Sequence, residues 1–216
     1  MSEEFIREVE EELKEEKQAK LWKKIAPYLI SIAGGIVLFT TFTVGWQSYI
    51  TKKTQAMGDD FSAAVQLISE QDKDAAILAL DKVTESNSDG YITLAKLKKA
   101  SLLIEDGRVK EGLKIYLELE KTAVDSSFRD MSTIFYVLNA MDILPSMDLI
   151  QKIDKLTNPN NPWSSTAREL KAFLYLKANK KNESKKIFQN LSEQPNIPSD
   201  LKNRAKDMLN FLSKKN

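Results

Sequence analysis

The chain contains no cysteine and no histidine among its 216 residues. The first absence excludes a disulfide framework, a thiol nucleophile and a thiolate metal site. The second removes the commonest general base and the commonest metal ligand. Glycine-rich phosphate loops, a nucleophile elbow and a zinc signature are missing as well. Neither sign of charge dominates: 32 lysines and arginines face 31 acids, a net charge of +1, which leaves no electrostatic footprint for nucleic acid. The carboxylate pairs Asp59 with Asp60 and Glu105 with Asp106 fall at expected helix starts or turns, where acids cap or solvate. Asn182 and Asn190 each head an Asn-X-Ser triplet, a pattern short enough to arise by chance. These absences argue against an enzyme, against any cofactor or metal, and against a small-molecule substrate.

What is present is one long uncharged run. Residues 25–51 hold no charged side chain and are bracketed by Lys23 and Lys24 before and Lys52 and Lys53 after. Eleven of these residues are Leu, Ile, Val or Phe, together favouring insertion by roughly 5 kcal/mol. An α-helix needs roughly 20 apolar residues to cross a bilayer. Trp22 and Tyr28 at one end, with Trp46 and Tyr49 at the other, suit headgroup level. The run therefore predicts an N-terminal transmembrane helix over 25–51. A cleaved signal peptide and a buried core helix fit less well, because the run is too long and its N-terminal flank too acidic. Six lysines and arginines precede the run and only two lie in the twenty residues after it, which predicts a cytoplasmic N-terminus. The expected location is the bacterial inner membrane, single-pass, with the C-terminal domain periplasmic.

Residues 1–24 read as a cytoplasmic amphipathic segment, with Phe5, Val9 and Leu13 spaced by four. Within the run, Ser31, Gly34, Leu38, Thr41 and Gly45 recur at 3-4-3-4 spacing, a small-residue face suited to docking against another membrane protein or to self-association, or else reflecting nothing beyond ordinary membrane-helix composition. Residues 52–60 read as a linker. From 61 to 216 short apolar clusters recur at spacings of three and four, and no alternating strand pattern appears. Helices are expected over 61–69, 74–84, 91–105, 110–120, 128–143, 147–156, 163–178, 183–192 and 201–213. Asp106 with Gly107, Pro145, the cluster from Asn158 to Pro162, and Pro195 with Pro198 separate them. Asn161 followed by Pro162 fits an N-cap and a proline at the first helical position.

The helices repeat. From Leu94 to Lys121, Ala100, Gly107, Gly112, Tyr116 and Leu119 occupy the small, turn, small, aromatic and apolar positions of a tetratricopeptide helix-turn-helix. Moved by 72 residues, the frame gives Ala172, Asn179, Ser184, Phe188 and Leu191; moved back by 36, it gives Ala64, Gln71, Ala76, Leu80 and Val83. A middle unit is fainter, with Leu149, Ile153 and Leu156 near their places. The expected fold is all-α: a transmembrane helix, then a tetratricopeptide-like α-solenoid closed by a C-terminal capping helix, with a plain helical bundle as the alternative. First helices of such units line the concave face. That places Phe61, Val65 and Ile68, then Leu94, Leu97 and Ile104, then Thr166, Phe173 and Leu176 on a face that either binds polypeptide or is buried between units.

Several stretches carry a resemblance: FIREVEEEL from Phe5, LWKK from Leu21, PYL from Pro27, GYITLAKL from Gly90 and PWSSTAREL from Pro162. In these and in its arrangement the chain resembles the alphaproteobacterial single-span tetratricopeptide proteins related to YfgM, the ancillary subunit of the SecYEG translocon. The resemblance implies a periplasmic helical-repeat domain beside the Sec channel, working with a membrane-anchored chaperone on exported clients and carrying no catalytic residues. The expectation is thus a non-enzymatic adaptor with protein partners: a SecYEG-type translocon, a periplasmic chaperone and exported clients. The alternative is an envelope scaffold for another assembly, such as cell-division or wall-synthesis machinery.

Overall fold

The computed structural model describes the backbone of residues 2–214 and the side chains of residues 22–24 and 34–214. Two compact units emerge, residues 1–55 and residues 56–216. All regular structure among the described residues is helical: α1 (Ser2–Ser69), α2 (Lys73–Thr84), α3 (Asp89–Glu105), α4 (Val109–Thr122), α5 (Ser126–Ala140), α6 (Ser146–Ile153), a 3-10 turn (Asp154–Thr157), α7 (Ser164–Lys177), α8 (Lys181–Glu193) and α9 (Ser199–Lys214).

The first unit corrects the expected transmembrane helix. Among the described residues, no helix is long and apolar enough to cross a membrane. The physical reason lies in the side chains of 34–51, where three glycines, four threonines, Gln47 and Ser48 dilute seven Leu, Ile, Val and Phe residues. The threonine hydroxyls turn back on their own helix, Thr41 donating to the Val37 carbonyl at 2.7 Å and Thr51 to that of Gln47 at 2.8 Å. Such bonds satisfy a hydroxyl but add no apolar surface. Ser31 and the rest of residues 25–33 lie outside the described side chains. The expected linker, 52–60, is helical and belongs to α1.

The second unit is built from helix pairs. Close packing runs chiefly between helices consecutive in sequence, from α2 on α3 through to α8 on α9. The last turns of α1 pack Ala64 against Ala76, Leu80 and Val83 of α2, forming the first core with Ala95, Leu102 and Leu103 of α3. A middle core spans α3 to α7, and a third joins α7, α8 and α9 through Ala172, Phe188, Leu191, Leu201, Ala205 and Leu212.

The frame that organises these cores is regular. Buried Ala64, Ala100, Val137 and Ala172 sit at equivalent places in the first helix of each pair, at intervals of 36, 37 and 35 residues. Buried Leu80, Tyr116, Ile153 and Phe188 repeat the same intervals in the second helices, as do Val83, Leu119, Leu156 and Leu191. The third unit is thus displaced by one residue, which is why a strict 36-residue frame finds it only faintly.

The turns show the same register. Gln71, Gly107 and Asn179 all have left-handed backbone, with φ of 64°, 81° and 59°. After each, the next residue donates its N–H back across the turn: Asp72 to the Leu67 carbonyl at 3.1 Å, Arg108 to that of Leu103 at 2.8 Å, and Lys180 to that of Tyr175 at 2.8 Å. These are Schellman ends, which satisfy the carbonyls orphaned where a helix stops. In the third unit the equivalent donor position is occupied by Pro145, which has no N–H. That turn instead closes with Ile143 and Leu144 both donating to the Ala140 carbonyl at 3.0 Å.

Two further details depart from expectation. Helix α7 starts at Ser164 rather than at Pro162; Asn161 accepts the Trp163 N–H at 2.8 Å as a side-chain turn ahead of the helix. In the last pair Lys185 stands where the earlier pairs bury Ile77, Leu113 and Ile150, so apolar packing onto a next pair gives way there to a charged side chain.

Ion pairs join neighbouring pairs of helices. Asp81 on α2 holds Lys99 on α3, and Asp154 after α6 holds Lys171 on α7. Glu120 on α4 accepts from Lys152 and Lys155 at 2.5 and 2.8 Å. Burial pushes the Glu120 carboxyl up, but the two lysine hydrogen bonds outweigh it and hold the group below the usual carboxylate range. Desolvation pushes buried Tyr116 up to about 12.

At Gly112 the paired helices are in contact at backbone level. A Cβ there would lie 2.6 Å from the Ala100 carbonyl oxygen and 2.5 Å from Ile104 Cγ1. Gly112→Ala should therefore lower unfolding free energy by about 1–3 kcal/mol, whereas Gly90→Ala, which meets nothing within 4 Å, should be neutral or stabilising; urea denaturation reads both. At the turns, Gln71→Gly should stabilise by about 0.5–1 kcal/mol and Gly107→Gln should destabilise by a similar amount, because only glycine adopts φ > 0 without steric cost. Shifts of the same sign would contradict the left-handed assignment.

Candidate functional site

The odd-numbered helices of the second unit lie side by side, α3 beside α5, α5 beside α7 and α7 beside α9. On this side a groove of about 630 Å³ opens across α5, α7 and α9. That volume is in the range of ligand and peptide-anchor pockets, about 300–1,000 Å³. Its apolar surface comes from Leu138, Met141, Leu170, Phe173 and Leu176. Leu138 is half exposed on α5 and lies next to the other apolar residues of this lining. Phe173 is set by an edge-on contact with buried Phe188, ring centres 5.2 Å apart.

Two ion pairs complete the lining. Arg204 of α9 donates from Nε and Nη2 to the two oxygens of Glu169 on α7, at 2.7 and 2.8 Å. The Glu169 side chain is only 8% exposed, and this fork engages both of its oxygens. The hydrogen bond to Glu169 raises the Arg204 guanidinium above its ordinary value. Lys177 of α7 donates to the Met141 carbonyl at 2.5 Å and to Asp142 at 2.6 Å. Both carboxylates of the groove are therefore already held by cations.

Of the nine residues that the sequence places on a binding face, the groove brings together Phe173 and Leu176. Thr166 is half-buried on the same helix. Phe61 and Ile68 pack against the first core, Phe61 with its ring 6.2 Å from that of Tyr91. Leu97 is buried in the middle core and Ile104 packs against it, while Val65 and Leu94 are exposed on other helices. Burial between units claims part of the list, because one apolar stripe on a first helix must serve its own pair and the next.

Helical periodicity does not single out Leu138, Met141, Glu169, Leu170 and Arg204. A signal for two of them exists: Glu169 and Arg204 are 35 residues apart, as are Asp142 and Lys177, one repeat length in both cases. Opposite charges one repeat apart meet across adjacent first helices.

Of the small-residue face on α1, Thr41 and Gly45 border a shallow groove with Val37, Thr40 and Val44. A Cβ added at Gly34 or Gly45 would meet nothing within 4 Å, and Leu38 is exposed. Among the described residues, no group of three or more acids is placed to hold a metal ion.

The architecture is that of an all-helical array of hairpins presenting an apolar groove on one side, the class in which binding surfaces are built from equivalent helices. The chain belongs to a family described as a protein of unknown function (DUF2659), whose model matches residues 2–212. No curated protein and no solved structure matches it.

The Glu169–Arg204 pair yields a stability test. Arg204→Leu should cost about 2 kcal/mol by stranding a buried carboxylate. The double variant Glu169→Leu/Arg204→Leu should recover most of that loss in urea denaturation. Leu138→Asp, at an exposed position, should stay within about 0.5 kcal/mol of the parent.

Proposed function

We propose that this chain is a non-enzymatic adaptor that takes up a protein partner on the face made by its odd-numbered helices. The groove across α5, α7 and α9 is the observation that carries the reading: an apolar surface on one side of a helical array, with its charges neutralised in pairs rather than left free for chemistry. Helical arrays of this kind offer extended surfaces to polypeptides.

The setting of this adaptor is beside the Sec translocon, on the periplasmic side of the inner membrane, where it links export to a periplasmic chaperone or to emerging clients. The resemblance of the stretches around Phe5, Gly90 and Pro162 supports this setting.

The test is capture of partners by the full-length protein from its own membranes in mild detergent, beside the Leu138→Asp variant, with mass spectrometry. Sec channel subunits or an export chaperone should be recovered with the parent and at least about tenfold depleted with the variant, as expected for an apolar contact replaced by a charge at the centre of an interface. Recovery of division or wall-synthesis proteins instead would move the function to an envelope scaffold. Partners unaffected by Leu138→Asp would remove the groove from the interaction.

A further inference from the structure

In the first two hairpins an ion pair bridges the first helix to the second at the same repeat position. Lys82 of α2 reaches Asp60 of α1 at 3.0 Å, and Lys96 of α3 reaches Glu118 of α4 at 2.6 Å; the partners are 22 residues apart in both cases. The frame that relates Ala64, Ala100 and Ala172 carries these positions to Arg168 of α7 and Asn190 of α8. Arg168 Nη1 duly donates to Asn190 Oδ1 at 2.8 Å, again across 22 residues. A neutral amide thus stands where the earlier pairs place the opposite charge. In the displaced third pair the positions fall to Thr133, which is uncharged and donates to the Arg129 carbonyl, and to Lys155, which takes Glu120 instead.

No other group supplies the missing charge. Arg168 Nη2 donates to Gln194 Oε1, a second amide, and the Nε–H is buried with no acceptor. Glu169, next to Arg168 in the chain, is taken by Arg204, and Glu193, next to Gln194, accepts from Gln189 at 3.1 Å. Burial, with no acid opposing it, lowers the Arg168 guanidinium from its ordinary value. A second cation reaches the same residue: Lys202 of α9 donates to the Gln194 carbonyl at 3.5 Å, just past the C-terminal end of α8, and has no carboxylate partner among the described residues. Asn190 is exposed and Arg168 and Gln194 are half-buried, so solvent reaches this cluster.

We propose that the C-terminal end of α8, where Arg168 and Lys202 meet at Gln194, is a binding site for a small oxyanion, a carboxylate or a phosphate group, which completes the ion pair that this hairpin lacks. The site is separate from the groove and does not depend on the adaptor reading. Arg168 spends two of its five N–H donors on amide oxygens, which leaves one on each Nη for an incoming oxyanion. A planar guanidinium matches the two oxygens of such a group better than it matches separate amides, and hydrogen bonds with charge on both partners are the stronger kind. Lys202 adds a second positive charge beside it. A partly buried cation held only by neutral groups carries a desolvation cost that an anion offsets.

The experiment is thermal unfolding of the full-length protein, followed by circular dichroism in sodium chloride, sodium phosphate or sodium succinate at equal ionic strength. At least one of the two oxyanions should raise the melting temperature saturably, by roughly 2–4 °C over chloride, and the one that saturates at lower concentration identifies the group as phosphate or carboxylate. Arg168→Gln should lose the rise, and Lys202→Gln should move its midpoint to about tenfold higher concentration. Asn190→Asp builds the missing carboxylate into the chain. It should raise the melting temperature in chloride by roughly 2–4 °C and abolish the response to either oxyanion. A rise of equal size in the parent, Arg168→Gln and Asn190→Asp, the mark of general salt exclusion from the surface, would overturn the proposal. So would the absence of a rise with both oxyanions, or an Asn190→Asp protein no more stable in chloride than the parent. If Arg168→Gln does not fold, Asn190→Asp decides by itself.

Discussion

Close approach of two helices at a position with almost no side chain is the constraint from which the second unit follows. Where α4 crosses α3, Gly112 brings backbone onto the Ala100 carbonyl and the Ile104 side chain. Ala76 and Ser184 do the same work in the first and last pairs, both fully buried. Once two helices are that close, the residues one and two turns further on must be large enough to fill the diverging space. Leu80, Tyr116, Ile153 and Phe188 do so, each contributing roughly 1.5–3 kcal/mol by removing apolar surface from water. The turn preceding each second helix has to reverse the chain within a few residues, and the left-handed residues 71, 107 and 179 accomplish this. The third pair shows the constraint being met another way. Pro145 blocks the usual hydrogen bond, one residue is added to the interval, and the larger Leu149 stands where the other pairs have Ala, Gly or Ser.

The groove is a consequence of this stacking. Second helices are covered on both sides by first helices of their own and the following pair. First helices meet each other along one edge only, and between α5, α7 and α9 that edge is incompletely filled. The bidentate Glu169–Arg204 fork ties α9 to α7, and an exposed Lys177–Asp142 pair joins α7 to the residues after α5. A carboxylate as buried as Glu169 is costly unless paired, so the fork also fixes where α9 sits on α7.

Much of the second unit was legible from sequence for a specific reason. Helix periodicity, turn residues and the recurrence of small and aromatic positions are local or periodic properties, and they correctly marked Ala100, Gly112, Tyr116, Asn179 and Phe188 as structural. The one-residue displacement of the third pair hid it from a fixed frame. The binding face was only partly legible: Phe173 and Leu176 line the groove, whereas Leu97 is spent on the core, because periodicity shows that a residue is apolar but not which neighbour covers it. The transmembrane expectation failed on the side chains of 34–51, where absence of charge was given the weight that belongs to apolar surface.

By itself, then, the sequence determined the all-helical class, the repeat length and the hairpin turns, because each depends on contacts within about 40 residues and on the conformational limits of single residues. It also ruled out chemistry based on thiols or imidazoles, which no fold can supply. Only the tertiary structure decided which apolar residues remain uncovered, that Glu169 is buried and Arg204 answers it, and that Leu138 faces a groove across α5, α7 and α9. Those outcomes depend on how three first helices pack side by side, and that packing is set by the summed geometry of several pairs rather than by any one of them.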